Sequence, residues 1–507
     1  MKRLRAVLPL ALGASLLSSA ASPQVAPKSA APSAKAPSEQ AAEAIGYIPF
    51  DDPRLVALLA KINAVGPYEV PDLGVKRDTN YSQTPEDIEA FGHQKPFNEF
   101  FLEQILYTGP GRAIPEPDSL SSVKIGFIGP IRPTVSVATG GKSHEEALGV
   151  PMLQGARLAI DEWNARGGYK KRGIPFELVV KNDNGLWGSS GNEIVDMAYR
   201  DGVWALLGTI DGANSHIAIR VALKAEVLVM NSGDTDPTFL ETNIPWVARV
   251  IGDDRQQSYI LIDYLYRKLG LKRIGILRAS NRYGRFGVRQ IRDGSRRLGH
   301  PIAVEMAYKP GSTDFSMELE RIREAKVDGV IHWGDATECA LILNQMRSMG
   351  MTQPYFGCDR CVSDEFLKVA GENAKGAVFA FPWNPDRVDP KLDRFRKEYR
   401  ERFGSEANTY SAHGYDGMNV LVWAIQAAGL NRAKIRDVVA YLPAAWPGVT
   451  GDIALNASLG NVSETYLASL EKGRWRYQSR KDLGIPRGFI PPRDRLSRDA
   501  PAPPPAP

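Results

Sequence analysis

Few groupings in this chain have the residue types and spacing of reacting chemistry, and the plainest is Cys358-Asp-Arg-Cys361. Two thiols separated by two residues can close a local disulfide, cycle as a redox pair or supply half of a metal site. Zinc sites take four ligands, and no second such pair and no clustered histidines stand nearby in sequence. The third cysteine, Cys339, is isolated. The pair Cys358 and Cys361 therefore reads as a local disulfide, with redox cycling as the competing reading, and no metal or cofactor is expected.

A second grouping is a series of short polar segments, each following an apolar run. They are Gly208-Thr-Ile-Asp-Gly-Ala-Asn-Ser215, Asn231-Ser-Gly-Asp-Thr-Asp-Pro237, Asn281-Arg-Tyr-Gly-Arg-Phe-Gly287, Trp333-Gly-Asp335 and Gly357-Cys-Asp-Arg360. Small residues and hydroxyls at a helix start leave backbone amides free for an anion. Tyr283 and Trp333 can stack on a ligand. Asp211, Asp234, Asp335 and Asp359 would repel one another if crowded, so a cleft holding them favours a cation. The competing reading is that each aspartate caps its own turn. Thr139-Gly-Gly-Lys-Ser143 lacks the earlier glycine of a phosphate loop, Ser136 standing in its place, and reads as a surface loop. No G-x-S-x-G, no H-E-x-x-H and no nucleophile–base pairing occurs among the six histidines, so an enzyme is not expected.

The elements that must hold these segments alternate. From Val123 the pattern predicts strand Val123–Gly129, helix Val150–Arg166, strand Phe176–Lys181, helix Asn192–Arg200, strand Val203–Gly208, helix His216–Ala225 and strand Val227–Asn231. A second series runs from helix Gln256–Leu269 through strands Arg273–Arg278, Ile302–Tyr308, Gly329–Trp333 and Tyr355–Gly357, with helices Phe286–Leu298, Phe315–Lys326 and Glu338–Met349 between them. Such alternation means βαβ units and parallel sheets covered by helices on both faces. The break at Pro245–Asp254 argues for two sheets rather than one barrel. Long helices Pro390–Phe403 and Tyr410–Ala428 then precede a hairpin within Gly451–Gln478. Earlier in the chain, Pro53–Ala64 and Pro96–Leu106 read as helices of an N-terminal extension. In open parallel sheets ligands sit beyond the carboxyl ends of the strands, where the polar segments fall.

The formal charge of +5 is misleading. Lys2, Arg3 and Arg5 at the start and the basic residues after Arg480 carry the surplus, leaving the body close to neutral. A nucleic-acid partner is not expected of such a body. Lys2–Arg5, the apolar Ala6–Leu17 and the small residues Ser18–Ala21 read as a secretory signal, too short to span a bilayer. The Ala/Pro/Ser-rich segment 23–44 reads as a flexible linker, and the Pro-rich tail 481–507 as disordered.

Ile125-Gly-Phe-Ile-Gly-Pro130, Gly155-Ala-Arg-Leu-Ala-Ile-Asp-Glu-Trp-Asn-Ala-Arg-Gly-Gly168, Asn182-Asp183, Tyr283-Gly284, Thr313-Asp-Phe-Ser316, Pro382 and Tyr415-Asp-Gly417, taken in series, resemble the type I periplasmic binding proteins. The likeness is to the group that feeds branched-chain amino acid and amide ABC importers. The resemblance implies an α/β two-lobed Venus-flytrap with parallel sheets flanked by helices and three interlobe crossovers. Lobe one would span 121–249 and 381–446, lobe two 250–380 and 447–480, with 45–122 an extension lacking a family counterpart. It also implies a soluble periplasmic receptor that gives a small polar ligand to an inner-membrane permease. A periplasmic sensing module for a signalling partner is the alternative, and a redox or docking protein a more distant one. By this resemblance Gly212, Asn214 and Ser215 would hold an amino-acid carboxylate, Asp234 and Thr235 would form the next binding turn, Tyr283 would line the second lobe, and Asp359 would receive the ammonium. Asp335 falls where an aromatic is frequent. Asp211 and Asp234 depart from the small or uncharged residues usual there, pointing to a more cationic ligand than leucine.

Overall fold

The structure, a computed structural model, describes residues 46–74, 106–135, 142–143, 145–183, 187–240, 242 and 244–485. The leader, the linker, nearly all of the predicted Pro96–Leu106 helix and the tail after residue 485 lie outside these.

Apolar, β-branched runs bounded by polar turns make the first sheet: β1 (Val123–Gly129), β2 (Phe176–Asn182), β3 (Ala205–Leu207), β4 (Leu228–Asn231) and β5 (Val247–Arg249). Its spatial order is β2-β1-β3-β4-β5, and every pairing is parallel. Helix α1 is Pro53–Ala64, α2 Glu146–Ala165, α3 Trp187–Val195 and α4 Gly212–Ala225. After β5 the chain enters the second sheet through α5 (Asp254–Ile262), started by a capping box between Asp253 and Gln256 that satisfies two otherwise orphaned amides.

The second sheet contains β6 (Ile274–Ala279), β7 (Val304–Tyr308), β8 (Gly329–Trp333), β9 (Tyr355–Gly357) and β10 (Val378–Phe381). These run parallel in the order β7-β6-β8-β9-β10. Between them lie α6 (Arg282–Gly287), α7 (Arg289–Arg297), α8 (Ser316–Glu324), α9 (Ala336–Ser348) and α10 (Asp364–Ala370). Both sheets share one winding, with strand order reversing at β1/β3 and at β6/β8. Loops diverge at such reversals and leave a crevice at the strands' carboxyl ends.

After β10 the chain returns to the first lobe as α11 (Pro390–Phe403), α12 (Thr409–Ala428) and α13 (Arg432–Ala440), then the small hairpin β11 (Trp446–Gly448) and β12 (Gly451–Ile453). It re-enters the second sheet as the antiparallel hairpin β13 (Tyr466–Glu471) and β14 (Arg474–Gln478), β13 pairing with β10. The chain thus passes between sheets three times. Two cores result, one around β1, α2, α11 and α12, the other around β6, β8, β9 and α9.

Helix α12 is buried from Thr409 to Ile425, a sequence without amphipathic alternation, as a fully enclosed helix requires. It approaches α2 closely: a Cβ on Gly155 would lie 2.0 Å from the Ser411 carbonyl oxygen. The extension is fastened to the first lobe. Trp423 donates to the Ile48 carbonyl at 2.8 Å, Leu55 and Ile62 enter the first core, and a buried Arg112–Asp437 ion pair joins it to α13.

Some boundaries differ from the sequence reading. The single helix expected over Phe286–Leu298 is two: α6 starts earlier, at Arg282, because Asn281 Oδ1 accepts the Gly284 amide, and the run divides at Val288, which ends α6 and begins α7. Strand β5 falls inside the Pro245–Asp254 break; three buried residues give too short a run for periodicity to register.

Candidate functional site

The loops after β3 and β4 form the first-lobe wall of the crevice. Asp211 starts α4 and accepts from the Ala213 amide at 2.8 Å; this is the capping role weighed for it from sequence. Ser215, in the first turn of α4, shares a 2.5 Å hydrogen bond with Thr209 and receives Asn231 Nδ2 at 3.3 Å. Asn231 Oδ1 in turn accepts the amides of Gly233 and Asp234 at 2.9 and 2.8 Å. This bonding shapes the small-residue turn 231–235 and buries Asp234 and Thr235.

Asp234 Oδ1 accepts the Asp236 amide at 2.9 Å, whereas Oδ2 is buried without a formed hydrogen bond. Burial, with the neighbouring Asp236 charge, lifts this carboxyl to about 7. Asn214 Oδ1 and Ser232 Oγ are likewise buried without partners. Buried polar atoms are ordinarily bonded, and a cluster of exceptions marks a place for a ligand or water.

The second-lobe wall follows β6 and β9. Tyr283 donates to Asp359 Oδ1 at 2.7 Å, and the Asp359 amide donates to Gln257 Oε1 at 3.1 Å. The Arg360 guanidinium lies 3.8 Å from the centre of the Tyr283 ring and pairs with Asp335 at 2.8 Å. Asp335 is therefore compensated inside its own lobe, and one face of Tyr283 is already covered. Trp333 is fully buried against Gly287, where a Cβ would meet its indole nitrogen at 1.9 Å; it belongs to the core rather than to the crevice surface. Burial raises the carboxyl of Asp359, opposed by the Tyr283 hydroxyl and Arg360.

Between the walls stands Asp254, at the start of α5. Its amide donates to the Thr235 carbonyl at 2.8 Å, tying the crossover to the first lobe. Both of its carboxylate oxygens are buried without a formed hydrogen bond. Burial first, then the charge of Asp359, pushes this carboxyl well above the carboxylate range. Asp254 interacts electrostatically with both Asp359 and Asp236, so the acids of the two lobes and of the crossover share one field. Tyr410, opening α12, meets the charges of Asp359 and Arg360. Glu145, immediately before α2, is raised to about 8 by burial and Asp211.

A direct clasp also joins the lobes. Arg282 Nε donates to Asp236 Oδ2 at 2.8 Å and Nη2 to Thr238 Oγ1 at 2.8 Å. Nη2 also faces His216 Nε2 at 2.9 Å. Burial, then Arg282, lowers His216 to about 4, so the ring stays neutral and can accept that proton.

Of the residues singled out from sequence, Asp234, Thr235, Tyr283 and Asp359 lie in this interlobe region, with Asn214 and Ser215 on the adjoining helix turn; Asp211 and Gly212 begin that helix. Asp254, Gln257, Asp236, Arg282, Arg360 and Tyr410 were not anticipated. An acid in the first turn of a helix is commonplace, so Asp254 carried no mark in the sequence. The Sγ atoms of Cys358 and Cys361, read as a disulfide, stand 3.9 Å apart, and both thiols are free. The 3₁₀ turn Asp359–Cys361 directs Cys361 toward His332 instead.

The family model for periplasmic binding proteins matches residues 122–473. The chain is 26% identical over 314 residues to the Leu/Ile/Val-binding protein homolog 2 of Brucella abortus, covering 62% of this chain and 83% of that one. It is 26% identical over 322 residues to an amino acid binding protein of Pseudomonas aeruginosa, covering 62% and 80%. In fold it is similar to the branched-chain amino acid transporter substrate binding protein of Streptococcus pneumoniae, solved with isoleucine, at TM-score 0.62, 23% identity and coverage of 71% and 99%. A solute binding protein of R. palustris, solved with benzoate, gives TM-score 0.61 at 17% identity, covering 71% and 96%. Among the described residues no helix is long and apolar enough to cross a membrane.

Proposed function

The chain belongs to the periplasmic binding protein family, and from that premise we propose that it captures a small polar ligand bearing a cationic nitrogen, an amine, amide or amino acid with a basic group. It releases that ligand to an inner-membrane ABC permease. Branched-chain amino acids are named for its relatives; the composition of this crevice favours a different ligand.

The observation that carries the reading is the excess of buried, unpaired acceptors. Asp234 Oδ2, both oxygens of Asp254 and Asn214 Oδ1 are buried without a formed hydrogen bond, against two groups able to donate, Gln257 Nε2 and the Ser232 hydroxyl, among the crevice groups described above; the side chains of Ser215 and Thr235 bear on the two carboxyls as hydrogen-bonding neighbours. A leucine side chain placed among them would leave those acceptors unbonded, at about 1–3 kcal/mol each. An ammonium or guanidinium group donates to several at once and offsets their mutual repulsion. The ligand would bridge both walls and bias the lobes toward the clasped state. Micromolar affinity, about −8 kcal/mol, is enough for capture and still allows release.

Titration calorimetry of the full chain against diamines, arginine, amides, leucine and benzoate tests the proposal. Saturable binding of a cationic probe is expected, weakened at least ~30-fold by Asp254→Asn through loss of a buried charge partner. Tight leucine binding with silence from every cationic probe would overturn the ligand class and leave the receptor family intact.

A further inference from the structure

Along the chain Cys358 and Cys361 have no further ligands beside them, but the fold supplies them. Cys339, in the second turn of α9, and His332, near the end of β8, converge on Cys361. The donor atoms of His332, Cys339 and Cys361 all lie within 4.8 Å of one another. His332 Nδ1 is 3.4 Å from Cys361 Sγ, and Cys358 Sγ is 3.9 Å from Cys361 Sγ. All four side chains are fully buried. Cys358 joins this group of three through Cys361, so every cysteine of the chain stands in one connected set beneath the turn that presents Asp359 and Arg360.

We propose that His332, Cys339, Cys358 and Cys361 form a structural site for one zinc-class cation, divalent and borderline-soft. Zinc bonds of about 2.05 Å to nitrogen and 2.3 Å to sulfur, at tetrahedral angles, place donors ~3.5 Å apart for N···S and ~3.8 Å for S···S. The two observed separations match those edges. The histidine is held in the orientation that coordination needs. Its Nε2 is 2.8 Å from the Tyr308 hydroxyl, which fixes the ring and leaves Nδ1 facing the sulfurs, as an outer partner does for a metal-bound histidine. Tyr355 donates to the Cys339 carbonyl at 3.0 Å and steadies the helix turn that carries that thiol.

On coordination each of the three thiols gives its proton to solvent, and three thiolates with one neutral imidazole leave the centre with one net negative charge. In the free-thiol state Cys358 donates to the Gly334 carbonyl at 3.4 Å; coordination replaces that bond with one that fixes both ends of the Asp359–Arg360 turn. Because no ligand is solvent-exposed, the cation enters as the second lobe folds, so binding energy becomes folding energy.

The test measures bound metal in the full chain, purified without a metal-affinity step from cells grown with zinc and, separately, with cobalt. About one equivalent of zinc per chain is expected, together with the thiolate charge-transfer and intense visible bands of tetrahedral cobalt in the second preparation. Cys361→Ser, which removes the ligand shared by all measured contacts, should lower occupancy at least about tenfold. Should that variant fail to fold, the wild-type cobalt spectrum decides. Copper in place of zinc, metal in fewer than about one chain in ten with three titratable thiols, or the loss of two hydrogens by Cys358–Cys361 oxidation would each overturn the proposal.

Discussion

Removing the Arg282 side chain should loosen the clasp between the lobes without touching either core. Asp236 and Thr238 belong to the first lobe and Arg282 to the second, and two 2.8 Å hydrogen bonds join them. The Asp236 side chain is 5% exposed and that of Arg282 24%, so solvent screens the pair only in part. Truncating one member of a buried, bonded charge pair costs about 2–5 kcal/mol. The lower end applies here, because Asp236 keeps the Thr238 amide and hydroxyl at 2.9 and 2.7 Å. A cost of about 2 kcal/mol, borne by the closed state alone, shifts the closed-to-open ratio ~30-fold. Arg282→Ala should therefore weaken whichever probe the calorimetric panel retains by that factor, mostly through faster dissociation. Arg282→Lys, which keeps the charge but not the two-pronged geometry, should fall between. Stopped-flow dissociation and calorimetry supply the numbers, and small-angle scattering reports lobe separation. Affinity within about threefold of the parent and an unchanged scattering curve would refute the argument, showing that the clasp carries no closure energy.

Asp234→Asn should change how stability depends on pH. In the folded chain Asp234 holds its proton up to about 7 against an ordinary 3.8, so across that window the folded state binds a proton the unfolded state has released. Stability from this group is complete below about pH 4 and is lost as pH rises toward 7. The asparagine variant lacks the loss, and its advantage in unfolding free energy over the parent should grow between pH 5 and pH 7.5, up to a few kcal/mol at about 1.4 kcal/mol per pKa unit; a pH-independent difference would count against the raised carboxyl. Gly155→Ala places a methyl 2.0 Å from the Ser411 carbonyl, forcing α2 from α12, and should cost ~3 kcal/mol in urea unfolding. Gly188→Ala, where a Cβ meets nothing within 4 Å, is the matched control and should stabilise by up to ~1 kcal/mol.

The sequence carried the elements wherever local chemistry closes them. Helix α11 begins at Pro390 because Asp389 caps it at Lys391, and it ends at Phe403 because Gly404 takes a left-handed conformation. Strands β1, β8 and β9 end where an apolar run meets a single glycine, Gly129, Gly334 and Gly357. Strand β5, helix α13 and the division between α6 and α7 were not legible, since short segments buried from both sides have no periodic signature. Asp234, Tyr283 and Asp359 were visible as chemistry at the ends of strands, because where an apolar run stops and which residues follow it are local facts read along the chain.

Which partners those groups meet was decided only by tertiary structure. Asp335 and the face of Tyr283 were open in sequence and are taken by Arg360 in space. Asp254 became a crevice acid because the crossover is pinned to Thr235, and Arg282 became a clasp because the lobes face one another. The cysteine pair shows the division most plainly. Its spacing along the chain offered two donors, while His332 and Cys339 reach it from residues 19 to 29 positions earlier, through the side-by-side pairing of β8 and β9 and the packing of α9. Sequence sets which groups exist and which local turns they favour; burial pattern and strand order, acting over long separations, set which of them stand within bonding distance.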